Sequence, residues 1–347
     1  MGRQKSFICI DLKSFYASVE CVERGLDPFK TNLVVADPTR SQSTICLAIT
    51  PAMKKLGVKN RCRIHEIPAG IEYITAMPRM QLYIDYSARI YSIYLRYISK
   101  EDIHVYSIDE CFMDVTNYLS LYHMTEKEMA VELMDAVMKE TGITATAGIG
   151  TNLYLAKVAM DIVAKHVEDH IGILNEISYR QQLWDHRPLS DFWRIGSRTE
   201  KKLAGYGIHT MGDIAYTSVT SEEWLYKMFG IDAELLIDHA WGLESCDIHD
   251  IKNYHTEEHS LSNGQVLMRN YSFEEAAVVV REMTDVLVLD LVSKGLITGS
   301  ITLWIAYDHR YERPSSHGTV RLTSLTNSSS TIMDEVDKLY QKITDRY

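Results

Sequence analysis

The chain has 347 residues, 46% hydrophobic and 24% charged, so an ordered protein of several domains is expected, since one core of ordinary size would not hold it. No apolar run approaches a bilayer span, and Met1 to Lys5 leads into only a short Phe7-Ile8-Cys9-Ile10 stretch, so no export signal is expected. The 6 cysteines are scattered with no Cys-x-x-Cys pair, which speaks against a zinc site or a disulfide scaffold and for a reducing cytoplasm. The net charge of −11 argues against tight unaided binding to nucleic acid. Local field decides where a phosphate backbone lies, however, and Lys54 to Arg63 and, more weakly, Arg194 to Lys202 are basic.

In chain order, Ser6 to Asp11 reads as a short apolar strand, and Ser14 to Arg24 as a helix with Phe15, Val19 and Val22 at helical spacing. Asn32 to Ala36 and Thr44 to Ile49 read as paired strands around Asp37-Pro38-Thr39-Arg40. Pro51 to Leu56 suits a short helix with Pro51 in its first turn and Gly57 ending it. A long amphipathic helix follows Pro78 to about Ile98. His104 to Val115 reads as a hairpin carrying Asp109 and Glu110 at its tip. Thr125-Glu126-Lys127-Glu128 is a capping box that opens a helix to about Glu140, closed by Gly142.

Ile143 to Gly150 then reads as a strand, and Asn152 to Val163 as a helix carrying Lys157. Leu183 to Gly242 shows short helices with glycine turns and no strand signal, and Leu243 to Tyr254 is polar and unpatterned, as in a linker. Beyond it come a strand at Gln265 to Met268, a helix from Phe273 to about Ser293, a strand at Ser300 to Asp308, and a terminal helix from about Thr331 that Ser330 or Thr331 would cap. Strands interrupted by helices indicate an α+β multidomain protein.

Asp11 ends a buried strand, and Asp109-Glu110 sits on a hairpin. If the three carboxylates meet, each like pair at 4 Å costs about 4 kcal/mol at an effective dielectric of 20. Divalent ions with a taste for hard oxygen relieve that repulsion, and two of them serve in-line phosphoryl transfer. Taken singly, Asp11 reads equally well as a helix cap and Asp109-Glu110 as an exposed turn.

The surrounding strings carry more. Ile10-Asp11-Leu12-Lys13-Ser14-Phe15-Tyr16-Ala17-Ser18-Val19-Glu20 and Tyr106-Ser107-Ile108-Asp109-Glu110-Cys111-Phe112-Met113-Asp114-Val115 resemble the two palm signatures of the Y-family DNA polymerases. Thr50 to Val58 and Gly148 to Ala159 are similar to further blocks of that family, in its order. The resemblance implies a right hand: palm 1–14 and 81–172, fingers 15–80, a helical thumb 173–243, a linker 244–253 and an α/β little finger 254–347. His259-Ser260-Leu261-Ser262 resembles the start of that last domain, which in the family ends on one more strand, so an incomplete C-terminus is expected.

It further implies that Asp11, Asp109, Glu110 and the Leu12 carbonyl bind two Mg²⁺ ions. Lys13, Ser14 and Phe15 would offer helix-start amides to a triphosphate, Tyr16 would be the steric gate against ribose, and Lys54 and Lys157 would contact phosphates. Pro51 and Lys54 stand where many members carry Tyr and Arg, a pattern similar to the UmuC-like, DNA polymerase V branch. Arg194 to Lys202 resembles a helix-hairpin-helix, with Gly196, Arg198, Lys201 and Lys202 as contacts to the DNA backbone. The implied function is low-fidelity translesion synthesis in DNA repair and the SOS response on primer–template DNA and dNTP, with a sliding clamp or recombinase filament as accessory partner. Two rivals stay open: a nucleotidyl cyclase with palm-like strands, and a non-catalytic DNA-binding scaffold.

Overall fold

Phe7, Ile8, Cys9, Ile10 and Leu12 are each at most 3% exposed, so the first strand is apolar on both faces and must lie inside a covered sheet. In the computed structural model, which describes residues 5–39, 43–255, 260–267 and 269–344, this strand, β1 (Phe7–Leu12), is the middle of five. The chain divides into two units, residues 1–254 and 255–347.

Ser14, at φ 50, turns the chain from β1 into α1 (Phe15–Val22), which buries Phe15 and Val19 as the spacing requires. β2 (Leu33–Val35) and β3 (Ala48–Ile49) pair antiparallel as expected but are shorter. α2 (Pro51–Lys55) starts at Thr50, whose hydroxyl accepts from the Met53 amide, and Gly57 follows it at φ 82. β4 (Ile74–Ala76) has no counterpart in the sequence reading. It pairs parallel with β2 and completes a second, three-stranded sheet. Its Ile74 and Thr75 are exposed, so no buried alternation marks it.

α3 (Met80–Tyr94) is shorter at both ends than expected and buries Tyr83, Ile90, Ile93 and Tyr94. β5 (Ile103–Val105) and β6 (Glu110–Asp114) form the hairpin, with Asp109 in its turn and Glu110 opening β6. α4 (Tyr118–Tyr122) precedes α5 (Glu126–Thr141), where the Thr125–Glu128 capping box forms and Gly142 closes the helix at φ 70. β7 (Ala145–Gly150) leads into α6 (Leu153–Val158), capped by Asn152. The helix expected through Val163 changes hand-hold here: Ala159–Val163 is a π-helical turn. β8 (Ile171–Leu174), unmarked by the sequence reading, pairs parallel with β7.

The large sheet runs β5-β6-β1-β7-β8. Successive residues of a strand point to opposite faces. Ile8, Ile10 and Leu12 pack with Met113, Ala147 and Ile149 against α3 and α5. Phe7, Cys9 and Phe112 pack against Leu153, Ala156 and Met160 on the other face. On that second face β7 and β8 carry glycine where the helix passes. A Cβ on Gly148 would lie 2.0 Å from the Ala156 carbonyl, one on Gly150 2.2 Å from the Ala156 amide nitrogen, and one on Gly172 2.1 Å from the Ala159 carbonyl.

Six helices follow: α7 (Glu176–Leu183), α8 (Ser197–Ala204), α9 (Met211–Thr220), α10 (Glu222–Phe229), α11 (Asp232–Trp241) and α12 (Ile248–Asn253). As expected, no strand occurs among residues 183–242. The expected linker is corrected: Asp247 caps α12, and Ile248, 2% exposed, packs with Phe7, Cys9 and Phe112. One buried apolar residue in a one-and-a-half-turn helix leaves no periodicity to read.

In the second unit, α13 (Phe273–Ser293) starts at a Ser272–Glu275 capping box. β9 (Thr298–Ile305) pairs antiparallel with β10 (Ser316–Thr326), and α14 (Ser329–Ile343) follows. Val280, Val288 and Leu291 pack with Ile332, Val336 and Tyr340 and with Ile301 and Leu303. β10 has no counterpart in the sequence reading because its half-buried side includes Ser316 and Gly318, which leaves only Val320 and Leu322 as apolar residues on that side. Gln265 to Leu267 carries no strand pairing, contrary to expectation, while Met268 and His259 lie outside the described residues. α14 begins from Ser328 rather than from Ser330 or Thr331. No helix among the described residues is long and apolar enough to cross a membrane.

The glycine-lined face predicts a stability effect. Gly148→Ala sets a methyl against helix backbone that cannot swing away, so it should destabilise the chain by more than about 3 kcal/mol, read from the urea midpoint against wild type.

Candidate active site

Asp11 and Glu110 are direct cross-strand partners in the β1–β6 pair, and the Leu12 amide donates to the Asp109 carbonyl at 2.9 Å. Strand pairing thus brings three acidic residues from two distant segments to one sheet end. Their side chains are engaged differently. Asp109 Oδ1 accepts from Ser107 Oγ at 2.7 Å. Glu110, 7% exposed, accepts from Lys157 Nζ at 3.0 and 3.1 Å and from Cys9 Sγ at 3.3 Å. Asp11, partly buried, receives no hydrogen bond among the described residues.

Burial, and then the charges of Asp109 and Glu110, push the Asp11 carboxyl up to about 7. Burial likewise raises Glu110, with Lys157 working against the rise. The three carboxylates are neighbours without forming a finished cage. Among the described residues, the one group of three possible ligands with atoms all within 4.8 Å of one another is Asp247, His249 and Asp250. That group lies on the surface, where Asp247 pairs with Lys5 at 2.7 Å.

Cations gather beside Asp11. Burial draws Lys13 down to about 8, while Asp11 holds its proton on and Lys54 repels it. Lys54 is lowered by burial, supported by Asp11 and repelled by Lys165. Lys13, Lys54 and Lys165 therefore share one electrostatic neighbourhood. Lys157 is 8% exposed and paired with Glu110 and with Asp161 at 2.9 Å, so two carboxylates hold its ammonium in this structure. Burial works against its charge, and Asp161 and Glu110 outweigh it, so its proton is held more firmly than usual. Lys165 was missed by the sequence reading. It lies beyond the π turn, on a 3-10 turn at Ala164–His166, so no spacing rule for a regular helix anticipates where its side chain falls.

The start of α1 is also corrected in part. The Lys13 amide is taken by the Thr144 carbonyl at 2.9 Å, and the Phe15 ring is core, 2% exposed. What Ser14, Phe15 and Tyr16 can offer is the set of first-turn amides that lack intrahelical acceptors. The Tyr16 ring stacks on Tyr83 at 4.4 Å and 14°. Burial and then the Asp109 charge raise its phenol. Tyr83 is itself fixed: its hydroxyl donates to Glu20 at 2.8 Å, and Glu20 also accepts from Arg79 at 2.9 and 2.8 Å and from Arg24.

In the basic helical stretch, Arg198 and Lys201 are exposed on α8. Gly196 has φ −88, open to any residue, and the left-handed position of the turn is Arg194, at φ 68. Lys202, also exposed, donates to the Met228 carbonyl with its ammonium 4.8 Å from the Phe229 ring.

These features match known proteins. Residues 10–161 fit the profile of the impB/mucB/samB family and residues 258–347 that of its C-terminal domain. UvrX of Bacillus subtilis, named for UV-damage repair, is 33% identical over 306 residues, covering 88% of this chain and 71% of that protein. The chain belongs to the Y family of DNA polymerases. DNA polymerase IV 2 of Bacillus subtilis is 29% identical over 349 residues, covering 99% of this chain and 82% of that one. A solved Y-family polymerase chimera, Dbh-Dpo4(243-245)-Dbh, shares the fold with a TM-score of 0.72 at 20% identity over 97% of this chain and 93% of its own. This Y-family member is a DNA-directed DNA polymerase of the translesion type, with the multidomain fold that the resemblance implied.

Asp11 yields a pH prediction. A carboxyl raised on folding favours the protonated form, so its ionisation opposes folding progressively from its ordinary value up to about 7. Asp11→Asn should stabilise the metal-free chain by about 1–3 kcal/mol at pH 8, and the gain should vanish near pH 4, as followed by thermal melts across that range.

Proposed function

We propose that this polymerase adds deoxynucleotides to a primer 3′-hydroxyl with Asp11, Asp109 and Glu110 as the ligands of two Mg²⁺ ions and the Leu12 carbonyl as a further ligand. The observation that carries this is Asp11: a partly buried carboxylate with no hydrogen bond among the described residues, directly across a strand pair from Glu110, and pushed up to about 7 by burial and its acidic neighbours. Such a group calls for a cation, and the donor set is entirely hard oxygen, which suits Mg²⁺. When bound, such ions lower the pKa of the attacking hydroxyl and stabilise the departing pyrophosphate.

The protein's own part is to hold and to select. Lys13, Lys54 and Lys165 supply positive charge for the triphosphate, aided by the first-turn amides at Ser14 and Phe15. Lys54 does so as a point charge rather than a bidentate fork. Tyr16, braced by Tyr83 and close enough to Asp109 to feel its charge, is the sugar gate. Arg198 and Lys201, after the turn at Gly196, contact the DNA backbone without reading bases.

We assign palm to 1–14 and 81–172, fingers to 15–80, thumb to 173–243 and little finger to 254–347, with α12 docked through Ile248 beside the palm sheet. A cytoplasmic site of action accords with six free cysteines. A sliding clamp or recombinase filament would add the DNA affinity that a net charge of −11 withholds.

Two measurements test the assignment. Primer extension with Mg²⁺ should be lost in Asp109→Ala/Glu110→Ala by on the order of a thousandfold or more while circular dichroism stays native; extension at the wild-type rate would remove the carboxylates from catalysis. Tyr16→Ala should raise ribonucleotide incorporation relative to deoxyribonucleotide, and an unchanged sugar preference would end the gate role.

A further inference from the structure

We infer that Lys157 is a tethered counter-ion, which parks Glu110 in the metal-free polymerase and remains with Asp161 when Glu110 turns to a divalent ion. The inference rests on the proposed metal role of Asp11, Asp109 and Glu110. The Lys157 ammonium is 3.0 Å from one Glu110 oxygen and 3.1 Å from the other, so it bridges the side of the carboxylate that a metal ion would take. It is 3.0 and 2.9 Å from the two oxygens of Asp161. One cation thus serves two carboxylates, and the loss of one leaves it paired with the other.

The two partners differ in freedom. The Glu110 side chain is 8% exposed and Asp161 30%, so Lys157 would pass from a dry pairing to a wetter one. The base of the device cannot slide. Lys157 follows Ala156 and Asp161 follows Met160, whose backbone atoms lie within 2.3 Å of where a Gly148 Cβ would be. What can move is the Glu110 side chain, which leans toward Cys9, its thiol 3.3 Å away, although Asp11 is its strand partner. Parking explains why the three carboxylates are neighbours and still not gathered: the most buried of them already has a cation.

The deciding experiment is a Mn²⁺ titration of the full chain by electron paramagnetic resonance at pH 8, without DNA or nucleotide. Lys157→Arg keeps the charge but offers a planar fork that grips a carboxylate at two points. It should weaken Mn²⁺ binding on the order of tenfold, and Lys157→Met should tighten it. Equal affinity in wild type and Lys157→Arg would mean that Lys157 acts by charge alone, and weaker binding in Lys157→Met would mean that it helps the metal; either overturns the parking role and leaves the metal assignment standing. Asp11→Asn separates the two levels. A wild type whose Mn²⁺ binding is absent, or unaffected by that substitution, overturns both. Should Lys157→Met fail to fold, the charge-conserving Arg variant still decides.

Discussion

The pairing of β1 with β6 is the constraint on which the rest depends. It sets Asp11 opposite Glu110 across one rung of the sheet and ties Leu12 to Asp109 through the backbone. A slip of one residue would turn every side chain of the strand over. It would carry Asp11 into the apolar layer of α3 and α5, and Ile10 to the catalytic face. The register is held by burial on both faces, with Ile8, Ile10 and Leu12 committed to one core and Phe7 and Cys9 to another. The location of the charge is therefore enforced by apolar residues between and around the carboxylates.

That arrangement accumulates repulsion, and the protein distributes it unevenly. Glu110 is matched by Lys157 and Asp109 by the Ser107 hydroxyl, while the Asp11 carboxylate accepts no hydrogen bond among the described residues and feels Lys13 and Lys54 only through space. Of the nearby lysines, Lys13 and Lys54 are lowered by burial and repel each other, and Lys165 adds to the repulsion on Lys54. The site thus holds an acidic half and a basic half side by side, with Asp11 facing Lys13 and Lys54, which is the electrostatic shape of a pocket for metal ions and a polyphosphate together. A chain that is acidic in sum is basic where that pocket needs it.

A second constraint is the thinness of the sheet under α6. Gly148, Gly150 and Gly172 let helix backbone approach strand backbone to a distance no side chain allows. The close approach delivers Lys157 to Glu110, and the π turn that follows carries the chain on to Lys165. The aromatic brace works similarly at α1. Glu20, fully buried, is satisfied by Arg79, Arg24 and Tyr83, and Tyr83 in turn supports the face of Tyr16.

What the amino-acid sequence determined by itself was local: the capping box at Thr125, the proline start of α2, the glycine stop at Gly142, the apolar strand before Asp11 and the hairpin bearing Asp109 and Glu110. Each rests on neighbours within a few positions, and together with the order of the motif strings they were enough to indicate the family. Tertiary structure decided whatever depends on a partner far along the chain. β4 and β8 are strands because another strand lies beside them. Residues 248–253 form a docked helix, where a free linker was expected, because Ile248 finds a buried slot. Lys157 faces a carboxylate and Lys165 joins the other lysines because glycines admit the helix and a π turn shifts its register. A lysine on a helix looks the same in sequence whether it meets water, phosphate or acid; only the fold supplies the neighbour that sets its role.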